Sequence, residues 1–115
     1  MASPAEIVNR AAKRLGKLGS GQTLASNLKA DLDQSYTEVY ARLAVRNLTT
    51  WDETEDVPDE YAEPVVNLVA EKRITDFSVP PARAIEIASF AANAIPEIKE
   101  LQASNVYKTP EVDYF

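Results

Sequence analysis

The segment GKLGSGQT, Gly16 to Thr23, carries glycine and threonine at the spacing of a phosphate-wrapping loop. Such a loop uses glycine amides to surround the phosphates, a lysine to neutralise them and a hydroxyl to hold magnesium. Gln22 stands at the lysine position and brings no charge. The loop must also follow a strand, whereas the residues before Gly16 have the pattern of a capped amphipathic helix. The segment is therefore read as a helix-to-helix turn. In it Gly16, Gly19 and Gly21 absorb positive backbone angles and Thr23 offers its hydroxyl to the next helix.

A second candidate is the stretch DETEDVPDEYAE, where Asp52, Glu53, Glu55, Asp56, Asp59, Glu60 and Glu63 have no base among them. A calcium loop would want a central glycine, and there is none. A catalytic carboxylate pair needs surroundings that push its two pKa values apart, and nothing in the pattern does so. These acids favour the next helix N-terminus and present a negative surface to solvent or to a basic partner. The chain has no cysteine and no histidine. That removes the thiolate nucleophile, the usual general base near neutrality and the two commonest transition-metal ligands. No catalytic residue, no metal site and no cofactor is expected.

Arg10, Lys13, Arg14 and Lys17 form a basic face on the first helix, opposite Ile7, Ala11, Leu15 and Leu18. Three uses fit: contacts to nucleic-acid phosphates, an interface with an acidic protein surface, or solvated cations complementing the helix dipole. Charge is unevenly spread along the chain, whose net charge is -6. Residues 1–50 hold seven bases against four acids, and residues 51–115 hold five bases against fourteen acids. A basic front and an acidic back attract copies of the chain head to tail, and the acidic half opposes tight binding to DNA.

The elements that carry these groups read as helices. Ser3-Pro4-Ala5-Glu6 is a capping box with proline at the first helical position, and Gly16 can close that helix. A second helix begins near Leu24 to Ser26 and runs to about Asn47, with Leu28, Leu32, Tyr36 beside Ser35, Val39 and Leu43 on one side. The loop that follows has Leu48, Trp51 and Val57 as its large apolar residues. A third helix buries Tyr61, Val65, Leu68 and Val69, contains Pro64 and ends near Asp76. Ser78, Pro80 and Pro81 open a fourth, alanine-rich helix that carries Ile85, Ala88, Ala92, Ile95 and Ile98. No alternating run is long enough for a sheet.

At 115 residues, with 45% apolar and 26% charged, one small all-α domain of about four helices is expected over residues 1–104. No apolar run approaches the roughly 20 residues of a membrane span, and the N-terminal stretch lacks the pattern of a signal peptide. A soluble intracellular protein is the expectation. Residues 105–115 are read as an extended arm, because Val106, Tyr107, Val112, Tyr114 and Phe115 are too apolar for an ordinary polar tail and Pro110 interrupts them. Such a segment hides its aromatics against its own domain or another chain, the alternative being a frayed end.

The order of AKRLGKLGSGQTL, a long second helix, VPDEYAEPVVNLVAEKRITDFSVPPARA and an alanine-rich last helix resembles the head-to-tail adaptors of tailed bacteriophages, especially the tail accessory factors of short-tailed phages. The resemblance covers about residues 3 to 104 through turn and helix-packing signatures. It implies a structural virion protein, made in the bacterial host cytoplasm, that forms a dodecameric ring between the portal and a tail or nozzle protein. The ring extends the DNA channel, which DNA crosses without specific binding. The resemblance places the C-terminal arm, with Val106, Tyr107, Pro110, Val112, Tyr114 and Phe115, on the portal. Arg10, Lys13, Arg14 and Lys17, with Asp52, Glu53, Glu55 and Asp56, are the candidates for contact between subunits. The alternative is a small helical DNA-binding or regulatory module that uses the basic face of the first helix.

Overall fold

Four helices make up the fold in a computed structural model, which describes residues 1–18 and 24–108. They are α1 (Pro4–Arg14), α2 (Ser26–Val45), α3 (Asp59–Glu71) and α4 (Pro81–Lys108). Among the described residues the one strand-like feature is an isolated antiparallel bridge between Ala2 and Val57. The architecture is all-α.

The Ser3 hydroxyl caps α1 by accepting the Glu6 N–H at 3.1 Å, with Pro4 at the first position. Three helical segments then close in the same way. After α1, Gly16 takes φ +78, its N–H reaches the Lys13 carbonyl and the Lys17 N–H reaches Ala12. After α2, Asn47 takes φ 58, with Asn47 N–H on Ala44 and Leu48 N–H on Leu43. After the turns that extend α3, Ser78 takes φ 54, with Ser78 N–H on Thr75 and Val79 N–H on Ile74. Each is a left-handed residue that lets two amides return to carbonyls the helix would otherwise leave open.

α3 is the hub. It packs against α1, α2 and α4, and from Pro64 to Ala70 every residue is buried. A helix apolar on all sides belongs in the middle of a bundle. From α1 the core takes Ile7, Val8, Ala11, Ala12 and Leu15; from α2 it takes Leu32, Tyr36, Val39 and Leu43. Leu48, Trp51 and Val57 are all buried and pin the loop between α2 and α3.

α4 differs from the expected register. Its buried residues are Ile87, Ala91, Ala94 and Ile98, while Ile85 is 71% exposed and Ala92 faces solvent. Ala88 and Ile95 lie at the margin, partly buried. The helix carries two apolar sets at helical spacing, and α3 covers only one. α4 also continues helical to Lys108, so positions 105–108, with Val106 and Tyr107, are helical rather than extended. Pro110, Val112, Tyr114 and Phe115 lie outside the described residues.

Candidate assembly surfaces

The Gly16 turn follows helix α1 and no strand precedes it, so the backbone context of a phosphate loop is missing. Gly19, Gly21, Gln22 and Thr23 lie outside the described residues. A Cβ built on Gly16 would sit 3.6 Å from the Arg83 guanidinium, an ordinary contact. Glycine is suited here by its backbone angle, not by crowding.

The four cations of the first helix do not act as one face. Arg14 is turned into the bundle: it donates to Oδ1 of buried Asn67 and pairs with Glu63 at 2.6 Å. Arg10 pairs with Glu6 one turn back at 2.8 Å, both side chains being well exposed. That leaves Lys13 and Lys17, exposed and without an ion pair among the described residues. Arg83 joins them at the same end of the molecule, donating to the Arg14 carbonyl at 3.1 Å. Spacing alone could not find the Arg14 contact, because its partner is 53 residues away.

Sequence order and tertiary pins together shape the acidic loop. The Trp51 indole donates to the Tyr36 hydroxyl at 3.3 Å, and the Tyr40 hydroxyl donates to the Trp51 carbonyl at 2.7 Å. Trp51 also stacks against Tyr61, ring centroids 5.4 Å apart. Val57 exchanges two backbone hydrogen bonds with Ala2, at 3.0 and 2.7 Å. Between these pins Asp52, Glu53, Glu55 and Asp56 are held outward. Glu53 accepts from the Thr37 hydroxyl and Glu55 from the Asp52 N–H, each at 3.0 Å. Among the described residues no group of three or more acids is gathered closely enough to hold a metal ion.

Loop acids and free lysines are kept apart. The N-terminal end of α1 lies beside the loop, through the Ala2–Val57 bridge. Eleven helical residues then carry the chain to Arg14, a separation of roughly 15 Å. That exceeds a Debye length of about 8–10 Å, so within one molecule the two charge groups do little to neutralise each other.

Two buried polar residues serve the fold. The Ser35 hydroxyl donates to the Asp31 carbonyl at 3.1 Å and accepts from Arg73 Nε at 2.6 Å. Asn67 is met by Arg14. Lys72, just past the end of α3, holds the Glu38 carboxyl of α2 below its ordinary range, with the pair exposed at 3.2 Å. An open depression of about 440 Å³ beside the start of α4 is lined by Pro80, Ala82, Arg83 and Glu86. It lacks the apolar enclosure of a small-molecule site.

No helix among the described residues is long and apolar enough to cross a membrane. No protein-family model, curated protein or solved structure matches the chain. The class that the structure defines is a small all-α bundle.

Proposed function

We propose that the protein is a structural head-to-tail adaptor of a tailed bacteriophage. In this reading it forms a ring, dodecameric by the resemblance, between a portal and a tail protein, and the ring continues the DNA channel. The observation that carries the reading is the separation of Lys13 and Lys17 from Asp52, Glu53, Glu55 and Asp56 by the length of α1. A ring is built from heterologous contacts, one surface meeting a different surface on the next copy. Opposite charges on two separate surfaces of one body, the loop acids and the α1 lysines, favour such contacts and disfavour like-to-like pairing. Exposed ion pairs contribute only up to about 1 kcal/mol each, so buried apolar contact must supply most of the affinity.

The C-terminal arm is the proposed portal-docking element. Incubating the protein with the portal of the same virus, followed by gradient sedimentation, tests this directly. Co-migration that is lost when residues 106–115 are removed is the expected result. Equal co-migration of the truncated protein refutes the arm.

The DNA-binding alternative is less well supported, because Arg14 and Arg10 are engaged within the fold, which leaves two lysines of the four cations without an ion pair among the described residues. Retention on duplex DNA at physiological salt, lost when Lys13 and Lys17 become Ala, would favour it over the adaptor.

A further inference from the structure

Apart from Met1, the large apolar side chains that stand most exposed among the described residues are Val45, Ile85 and Phe90, at 84%, 71% and 47%. They form two patches. Val45 ends α2 beside exposed Ala41, with Arg42 and Arg46 flanking it. Neither arginine has an ion pair among the described residues, and the acid on the same outer stripe, Glu38, is already held by Lys72. The second patch is the outer side of α4: Ile85, Ser89, Ala92 and Pro96 share one stripe, and Phe90, about 140° round the helix from Ile85, stands on the flank that bears Glu86 and Glu97. Between Arg83 and Lys99 this helix has no base. Its two acids there, Glu86 and Glu97, are exposed and unpaired among the described residues.

One chain cannot bring its own patches together. Gln102 donates to the Asn47 carbonyl at 2.9 Å, which ties the end of α2 to the far part of α4. At about 1.5 Å per helical residue, Phe90 lies roughly 18 Å and Ile85 roughly 25 Å along α4 from that tie. Among the described residues α4 packs on α3 and on no other helix to a comparable degree, and none of them covers its outer side.

We propose that the two patches meet between copies: the end of α2 in one chain packs on the outer face of α4 in the next. Val45 sits on the stripe of Ile85, Ser89 and Ala92, with Phe90 at its flank, and Arg42 and Arg46 face Glu86 and Glu97. The match of basic-apolar to acidic-apolar surface selects a second copy as the occupant. The acidic loop follows α2 in the chain and turns back beside Tyr36, Thr37 and Tyr40. Ile85 lies at the end that bears Lys13 and Lys17, through Arg83 and the Arg14 carbonyl. This inference rests on the ring reading above and names its apolar centre.

The native chain has no cysteine, which makes cross-linking clean. Val45→Cys protein mixed with Ile85→Cys protein under mild oxidation gives mainly the mixed dimer, and the double variant gives a ladder. Arg42→Glu with Arg46→Glu weakens self-association about tenfold, and Glu86→Arg with Glu97→Arg in the partner restores it. Homodimers as abundant as mixed dimers, or oligomers by sedimentation that yield no mixed product, overturn this interface and leave the ring standing. A protein that stays monomeric at every concentration and cross-links nowhere overturns both.

Discussion

Arg14 on α1 donates to Oδ1 of Asn67, a residue only 6% exposed on the central helix α3. The bond joins two helices through a largely buried polar group. Removing it leaves the Asn67 carbonyl buried without a donor, which costs about 1–3 kcal/mol. Arg14→Ala is therefore expected to lower stability by that amount in denaturant unfolding. Lys13→Ala, at an exposed position with no ion pair among the described residues, should stay within about 0.5 kcal/mol. Equal effects would return Arg14 to the solvated face.

Trp51 is the sole tryptophan and holds the acidic loop through Tyr36, Tyr40 and Tyr61. Trp51→Ala should cost about 3–5 kcal/mol and make the 52–57 segment newly sensitive to protease. The native fluorescence should be blue-shifted relative to the unfolded chain. Exposed-type emission from the folded protein would show that the loop is not pinned by Trp51.

The left-handed residues that close the helical segments predict opposite signs. Gly16→Ala should destabilise by about 1 kcal/mol through its backbone angle, because the space beside Arg83 admits a methyl group. Ser78→Gly should stabilise by about 0.5–1 kcal/mol, relieving a non-glycine residue at positive φ. Thermal unfolding of the two variants checks both signs together.

Burial pushes the Tyr36 hydroxyl above its ordinary value near 10, with the Trp51 hydrogen bond opposing in part. Between the unfolded and the folded pKa the unfolded chain has already lost the proton that the native state keeps. The unfolded state then binds fewer protons, and stability falls as pH rises. The denaturant midpoint should be insensitive to this group below about pH 9 and decline above about pH 10. Tyr36→Phe should flatten that part of the decline. An unchanged slope would show that Tyr36 ionises alike in both states.

Local signals made some of this legible. Ser3, Pro4 and Glu6 spell a helix start, and Ile7, Ala11, Leu15 and Leu18 recur at helical spacing and are all buried. Leu48, Trp51 and Val57 stood out as apolar residues in a polar stretch and became its pins. The register of α4 was not legible, because the set with Ile85 and Ala92 competes with the set of Ile87, Ala91, Ala94 and Ile98. Only the position of α3 decides between them. Tertiary partners likewise decided the inward turn of Arg14. Val45 could have been noticed as a large apolar residue lying off the Leu32, Val39 and Leu43 stripe, between two arginines.

The account stands most directly on the form of the assembled protein. Electron microscopy of the full chain bound to a portal from the same genome should show end-on views of a closed ring with one rotational symmetry. Every subunit in that ring should present its acidic loop to the Lys13 and Lys17 end of its neighbour. Portal particles that carry no added ring at saturating protein, or a ring whose subunits meet through like surfaces, would contradict it.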